Sequence, residues 1–289
     1  MKKITLGLTA LAMMATAGTS FAQGFYLKMG VGYAFPMGRQ EFVSNDINAL
    51  GAYSEKLVTA SYGKGFNPGI GAGYMITKFI GVELGANFLL GGATDAKINS
   101  PILSGSTVVG KSETAISSKA IGFTLYPAIK LMAPAYSKVM PYTRIGLAIP
   151  VGGKITTTID QKNTVASGMS SVYIKRETKG EFTAGLHGAA GVNYDISDRI
   201  SLWGEVNGQM LNVWSRKQEI TEYKLNGQDR LNTQSVYDKR TNYQKEINTA
   251  SNNATYNPNG YDSNKPKDVM REQVSFHNVG ISLGMSVKF

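Results

Sequence analysis

The chain contains no cysteine and only two histidines in 289 residues. Disulfides, thiolate metal sites and cysteine nucleophiles are therefore excluded, and two histidines far apart leave no metal-ligand spacing. Beyond the first 22 residues no stretch approaches the ~18 consecutive apolar residues of a helical membrane span. Acidic side chains are outnumbered, 20 against 30 basic ones, for a formal charge of +10. No nucleic-acid motif accompanies that surplus, so the basic residues read as solvated lysines and arginines in loops. The expectation is of no cofactor, no metal and no nucleic-acid partner.

What is present begins with Lys2-Lys3, an apolar run from Ile4 to Ala17, and Ser20-Phe21-Ala22. A charged start, a short apolar middle and a small-x-small ending describe a secretory signal peptide, residues 1–22, cut after Ala22. Residues 23–289 then form one exported domain, and the loss of Lys2 and Lys3 lowers its charge from +10 to +8.

The clearest pattern is the last one. From Val279 to Phe289 every odd position is large and apolar and every even one is small or polar. A strand sends such positions to opposite faces. The pattern recurs over 25–35, 66–76, 80–90, 121–131, 141–151, 182–196 and 200–210, giving eight strands of about ten residues. Three connections are short: 77–79, the stretch around 133–138, and 195–199. Four are long and polar: 36–65, 91–119, 152–181 and 215–272. Short turns at one end and long loops at the other predict an all-β, antiparallel, up-and-down transmembrane barrel. Volume decides which face is inside. An eight-stranded barrel has an interior just wide enough for side chains to fill. Five or six bulky residues per strand exceed that space, whereas the Gly, Ala, Ser and Asn of the other face suit it. Aromatics near the strand ends (Phe25, Tyr74, Tyr194 and Phe289 at the turn end; Phe35, Phe66, Phe88, Phe123, Phe182 and Phe276 at the loop end) suit two interfacial girdles. Pro127, inside a strand, removes a ladder hydrogen bond and predicts a bulge or a water-accessible carbonyl.

These eight segments and the terminal run Val279–Phe289 resemble the small outer-membrane β-barrel family that includes the OmpA transmembrane barrel and OmpX. The resemblance covers the strands and departs in the longer loops, above all 215–272. It implies residence in the outer membrane of a Gram-negative bacterium, with outer-membrane lipid and lipopolysaccharide as surroundings. It also implies that Phe289 serves as the C-terminal signal read by the outer-membrane assembly machinery. Such a motif is architectural and says little about activity.

Three places are candidates for chemistry. Lys28, Glu83, Arg144 and Glu205 share the lumen face at similar depth, and Tyr126, Tyr142 and Asn207 share it with them. Buried charges must pair, so the expectation is a network that plugs the barrel, the alternative being a narrow channel for small solutes or ions. Ser275 and His277, at the loop end of the last strand, are the candidate catalytic pair of a lipid-modifying barrel enzyme, with Glu272 nearby; the expectation is that the protein is not an enzyme. His187 reads as a packed lumen residue. Within 215–272, Tyr223, Tyr237, Tyr243 and Arg240 are candidates for binding a surface ligand, since Tyr and Arg are favoured in recognition surfaces. The functional expectation is a structural or surface-interaction role carried by the loops.

Overall fold

The computed structural model describes residues 24–37, 40–47, 53–133 and 138–289. The expected leader, 1–22, lies outside the described residues. Eight strands close into a ring: β1 (Phe25–Pro36), β4 (Gly65–Met75), β5 (Ile80–Gly91), β7 (Thr107–Met132), β8 (Val139–Val165), β10 (Gly185–Asp195), β11 (Ile200–Met210) and β17 (Asn278–Lys288). Each pairs antiparallel with the next, and β17 pairs back with β1 from Tyr26↔Lys288 to Pro36↔Asn278. Phe289 adds one more bond, its N–H donating to the Phe25 carbonyl at 3.0 Å. From the turn end up to Ala148↔Gly185 closure leaves no strand edge, so the ladder there satisfies its own backbone donors and acceptors.

The faces follow the alternation. Ile70, Ile145, Leu147, Leu186, Val206, Ile281 and Leu283 point outward and are exposed, Leu283 at 62% and Ile145 at 65%. The inward positions are closed off: Tyr26, Glu83, Lys130, Tyr142, Arg144, Trp203 and Glu205 are all buried. A polar interior inside an apolar exterior inverts the pattern of a water-soluble barrel.

Two of the turns are built alike. In Ile76-Thr77-Lys78-Phe79-Ile80, Ile76 N–H donates to the Ile80 carbonyl and Thr77 Oγ1 accepts from Ile80 N at 3.0 Å. In Ile196-Ser197-Asp198-Arg199-Ile200, Ile196 N–H donates to Ile200 and Ser197 Oγ accepts from Ile200 N at 3.1 Å. A hydroxyl two or three residues ahead of the turn's end supplies the local acceptor that such tight reversals need.

At the opposite end the long connections expected as loops are largely strands. β7 and β8 run 26 and 27 residues, far more than the ~9–11 that cross a bilayer. Their pairing continues to Gly110↔Val165. β6 (Thr94–Ser104) joins β7, β9 (Gly168–Gly180) joins β8, and β12 (Asn212–Leu225) joins β9. The hairpin of β2 (Gln40–Ile47) and β3 (Tyr53–Ala60) meets β6 through Asn45↔Ile98. Segment 215–272 holds most of β12, the two-residue β13 (Gln228–Asp229) and a helical turn Val236–Lys239, then β14 (Arg240–Gln244) and β15 (Lys267–Met270). After it, β16 (Gln273–Ser275) pairs with the start of β12. A crown of sheet thus stands on the barrel.

The strand that was expected to begin at 182 begins at Gly185; residues 181–184 are irregular. The ladder passes Pro127 without a shift, since Leu125↔Ile149 and Ala128↔Gly146 share one register. The bulge lies instead between Phe123↔Gly152 and Thr124↔Pro150, beside the proline of β8. Pro150-Val151-Gly152-Gly153, with Gly153 at φ +151°, combines a missing N–H with a backbone few side chains tolerate. Phe276 was expected among the loop-end girdle, but it packs on Tyr62, ring centroids 6.1 Å apart, beside Leu89 and Val274. The chain leaves the strand at residues 276–277, which releases the side chain from the alternation.

Candidate functional site

Five of the ring strands, β1, β5, β7, β8 and β11, each bring one or two inward side chains to a single level near the turn end. β8 supplies Arg144, whose Nη1 and Nη2 each reach a carboxylate at 2.5 Å, Glu83 Oε1 from β5 and Glu205 Oε1 from β11. The outer oxygens of both carboxylates are also held. Tyr26 O–H donates to Glu83 Oε2 and Tyr142 O–H to Glu205 Oε2, each at 2.7 Å. Lys28 Nζ sits 3.3 Å from Glu83 and 3.6 Å from Glu205. Tyr26–Glu83–Arg144–Glu205–Tyr142 thus forms a strap across the lumen, with the guanidinium at its centre. The forked geometry of arginine is what lets one residue clamp two carboxylates.

Lys28, Glu83, Arg144 and Glu205 are brought together as the sequence places them. Tyr126 is not part of the strap: its O–H donates to Gln209 Oε1 at 2.9 Å, and its ring lies 4.5 Å from that of His187. His187 is therefore packed in the lumen, with Nδ1 buried and unpartnered among the described residues. Asn207 donates to Ser282 Oγ at 2.7 Å. Two participants escaped the sequence reading although both lie on the inward parity: Tyr26, and Lys130, which stands opposite Arg144 in the β7–β8 ladder. Two like charges side by side repel. Lys130 Nζ is accommodated between the rings of Tyr26 and Tyr142, 4.5 Å from each centroid. Trp203 lies under Lys28 Nζ at 4.1 Å in the same way.

Glycine on the facing strands makes the space. A Cβ on Gly30 would meet the Trp203 ring, and one on Gly73 the Tyr26 ring. The glycine-rich inner face is thus the complement of a few large lumen side chains. Gly30→Val is expected to displace Trp203 and cost about 1–3 kcal/mol, the usual penalty of overpacking, read as a lower urea midpoint of the refolded barrel. Two small voids lie at and just above this level. One, of about 40 Å³, is bordered by Lys28, Arg144, Trp203 and Glu205; the other, of about 20 Å³, by Tyr126, His187 and Gln209. These are volumes for a few waters at most.

Above the strap the lumen opens into a cavity of about 730 Å³ that reaches into the crown. Gln209 and Tyr126 lie in its floor, and Leu89, Leu211, Val213, Val274 and Phe276 are among its walls.

The remaining candidates are placed as follows. His277 Nδ1 accepts the Leu211 backbone N–H at 3.0 Å, and Ser275 Oγ accepts the His277 N–H at 3.4 Å. A neutral imidazole that accepts at Nδ1 carries its proton on Nε2. The orienting Nδ1–H-to-carboxylate bond of a serine-hydrolase histidine cannot form in this arrangement. Tyr237 is buried and stacked on Tyr261 at 4.1 Å. Tyr243 O–H donates to Gln218 Oε1 at 3.2 Å, and Arg240 Nε pairs with Glu219 at 2.9 Å. Tyr223 is half-buried in β12, opposite Ile174 of β9. Tyr237 and Tyr243 hold the folded segment together.

Compared with known proteins, the family model described as "Outer membrane protein beta-barrel domain" matches residues 4–285. Among solved structures, the chain is similar to Neisserial surface protein A, at 14% identity and a TM-score of 0.34, over 93% of this chain and 99% of that one. It is similar also to the outer membrane protein OprG from Pseudomonas aeruginosa, at 12% identity and a TM-score of 0.37, over 93% and 97%. A search of curated proteins gives no match.

Proposed function

The chain belongs to the outer membrane protein β-barrel domain family, and from that premise we propose that it is a closed, non-enzymatic barrel acting at the cell surface through its crown. The leader at 1–22 exports it, the short turns face the periplasm, and β6, β9, β12 and the extended halves of β7 and β8 stand outside the cell. Outer-membrane lipid and lipopolysaccharide surround it, and the assembly machinery reads Phe289.

The observation that carries this reading is the strap of Tyr26, Glu83, Arg144, Glu205 and Tyr142 across the lumen. A conducting path needs sites that ions can enter and leave. Here every oxygen of Glu83 and Glu205 is already engaged, and the neighbouring voids hold only a few waters. Against a lipid-modifying activity stands the histidine tautomer at 277, which withholds the oriented base. In favour of a surface role stands the length of ordered sheet beyond the membrane span.

Planar-bilayer recording on the refolded protein tests the closed lumen. The expected result is insertion without a steady conductance. Glu83→Ala leaves Arg144 and Lys28 short of a partner and is expected to introduce leak events. A large, stable open current in the unmodified protein overturns the proposal.

A further inference from the structure

The barrel wall is incomplete on one flank. The β8–β10 ladder ends at Ala148↔Gly185, and the β8–β9 ladder begins at Ile155↔Thr178. Between them residues 149–154 face 179–184 with no ladder pairing. The second segment is held away on the other side, where Glu181 N–H donates to the Trp214 carbonyl at 2.8 Å and Gly180 pairs with Ser215. The sequence explains why β8 gives way here: Pro150 has no N–H, Val151 lies at the bulge, and Gly153 has a positive φ.

The 730 Å³ cavity reaches both edges of this gap, from Pro150 and Val151 on one side to Phe182 on the other. On the outer surface Val151 and Phe182 are exposed, Phe182 at 79%, and they continue the apolar band of Leu147 and Leu186. A side opening therefore connects an apolar-walled cavity to the lipid-facing surface. The same cavity is bordered on its crown side by Lys179, Arg216 and Lys217, all exposed. The nearby carboxylates are engaged elsewhere, Glu177 with Lys154 and Glu181 with Arg271. The volume is that of a pocket for a drug-sized ligand, ~300–1,000 Å³. It accommodates one acyl chain but not the several chains of a membrane lipid.

We propose that this cavity is a binding site for a single-chain amphipathic anion, an acyl carboxylate, which enters through the gap between residues 149–154 and 179–184. Its chain lies against Leu211, Val213, Val274 and Phe276, and its headgroup meets Lys179, Arg216 and Lys217. The strap beneath stops it from passing through. The site rests on the membrane-barrel reading, since the side opening has meaning only if it faces lipid.

The test is equilibrium binding of palmitate to the full refolded barrel in uncharged vesicles, with hexadecanol as the neutral-headed control. The expected result is saturable uptake of one palmitate per barrel, with hexadecanol at least tenfold weaker. Lys179→Glu, Arg216→Glu and Lys217→Glu together are expected to weaken palmitate at least tenfold. Gly152→Trp, whose new side chain has open space around its Cβ, is expected to block the gap and abolish uptake. A barrel that inserts normally yet shows no saturable palmitate binding overturns the site alone; failure to insert overturns the membrane reading beneath it. Equal affinity for hexadecanol, or displacement of palmitate by phosphatidylglycerol in the vesicles, overturns the assigned ligand class.

Discussion

Arg144→Met is expected to lower the unfolding free energy of the refolded barrel by about 3–5 kcal/mol, the loss that follows when one partner of a buried ion pair is removed. The reason is the position of the guanidinium. It reaches both Glu83 and Glu205 at 2.5 Å each, closer than Lys28 comes to either. Without it two carboxylates share a dry lumen, with Lys28 reaching both and Tyr26 and Tyr142 holding their outer oxygens. Removing the charges together reverses the argument, because a neutral lumen of similar volume has no desolvation to offset. Glu83→Gln, Glu205→Gln, Arg144→Met, Lys28→Met and Lys130→Met in one chain are therefore expected to recover most of the loss. Lys130→Met marks the contrast. Lys130 Nζ has no carboxylate within ion-pair distance among the described residues and rests only on two rings. Its replacement removes surplus positive charge beside Arg144 and is expected to leave stability unchanged or higher. Urea titrations in lipid vesicles, followed by tryptophan fluorescence, read all three variants; Trp203, against Lys28, is the local reporter. An Arg144→Met protein as stable as its parent would mean that the strap does not hold the barrel together.

The two layers of this molecule differ in how openly the sequence displays them. The eight ring strands are legible because one face meets grease and the other a cramped interior, so that period two is enforced at nearly every position from Val279 to Val287. The charged level is legible for the same reason: once parity is known, Lys28, Glu83, Arg144 and Glu205 fall on the inside at comparable depth. Parity does not say how far a long side chain leans along the lumen axis, which is why Tyr26 and Lys130 join that level unannounced while Tyr126 turns to Gln209. The crown is illegible for the opposite reason. In Ile155-Thr156-Thr157-Thr158-Ile159-Asp160 both faces carry polar groups, so the alternation that betrays a strand is absent, although its β-branched residues favour one. What survives there is propensity without pattern, and such a segment reads as loop. The side gap lies between these cases: Pro150 and the two glycines after it warn of a weak ladder, but only the path of 179–184 turns that weakness into an opening.

The membrane reading itself makes a prediction that depends on depth and face together. Leu283 pairs with Val31 and Gly204, midway along the β17 ladders, and is exposed. Leu283→Arg places a charge near the middle of the apolar band and is expected to cost about 2–4 kcal/mol in a bilayer. Val279→Arg, four residues nearer the rim, is expected to cost no more than about 1 kcal/mol, because a charge there reaches the interface. Both penalties should grow with the hydrocarbon thickness of the vesicles, since only the outer face responds to it. Ser282→Arg reverses the logic one residue away. Its side chain faces inward, where Ser282 Oγ already accepts from Asn207 and the void it borders is about 40 Å³. A fourth cation beside Lys28, Lys130 and Arg144 is expected to block folding in thick and thin bilayers alike. Unfolding free energies of the three variants in vesicles of two chain lengths separate the cases. If Leu283→Arg and Ser282→Arg behaved alike, with no dependence on thickness, the outward apolar face would not be the one that meets lipid.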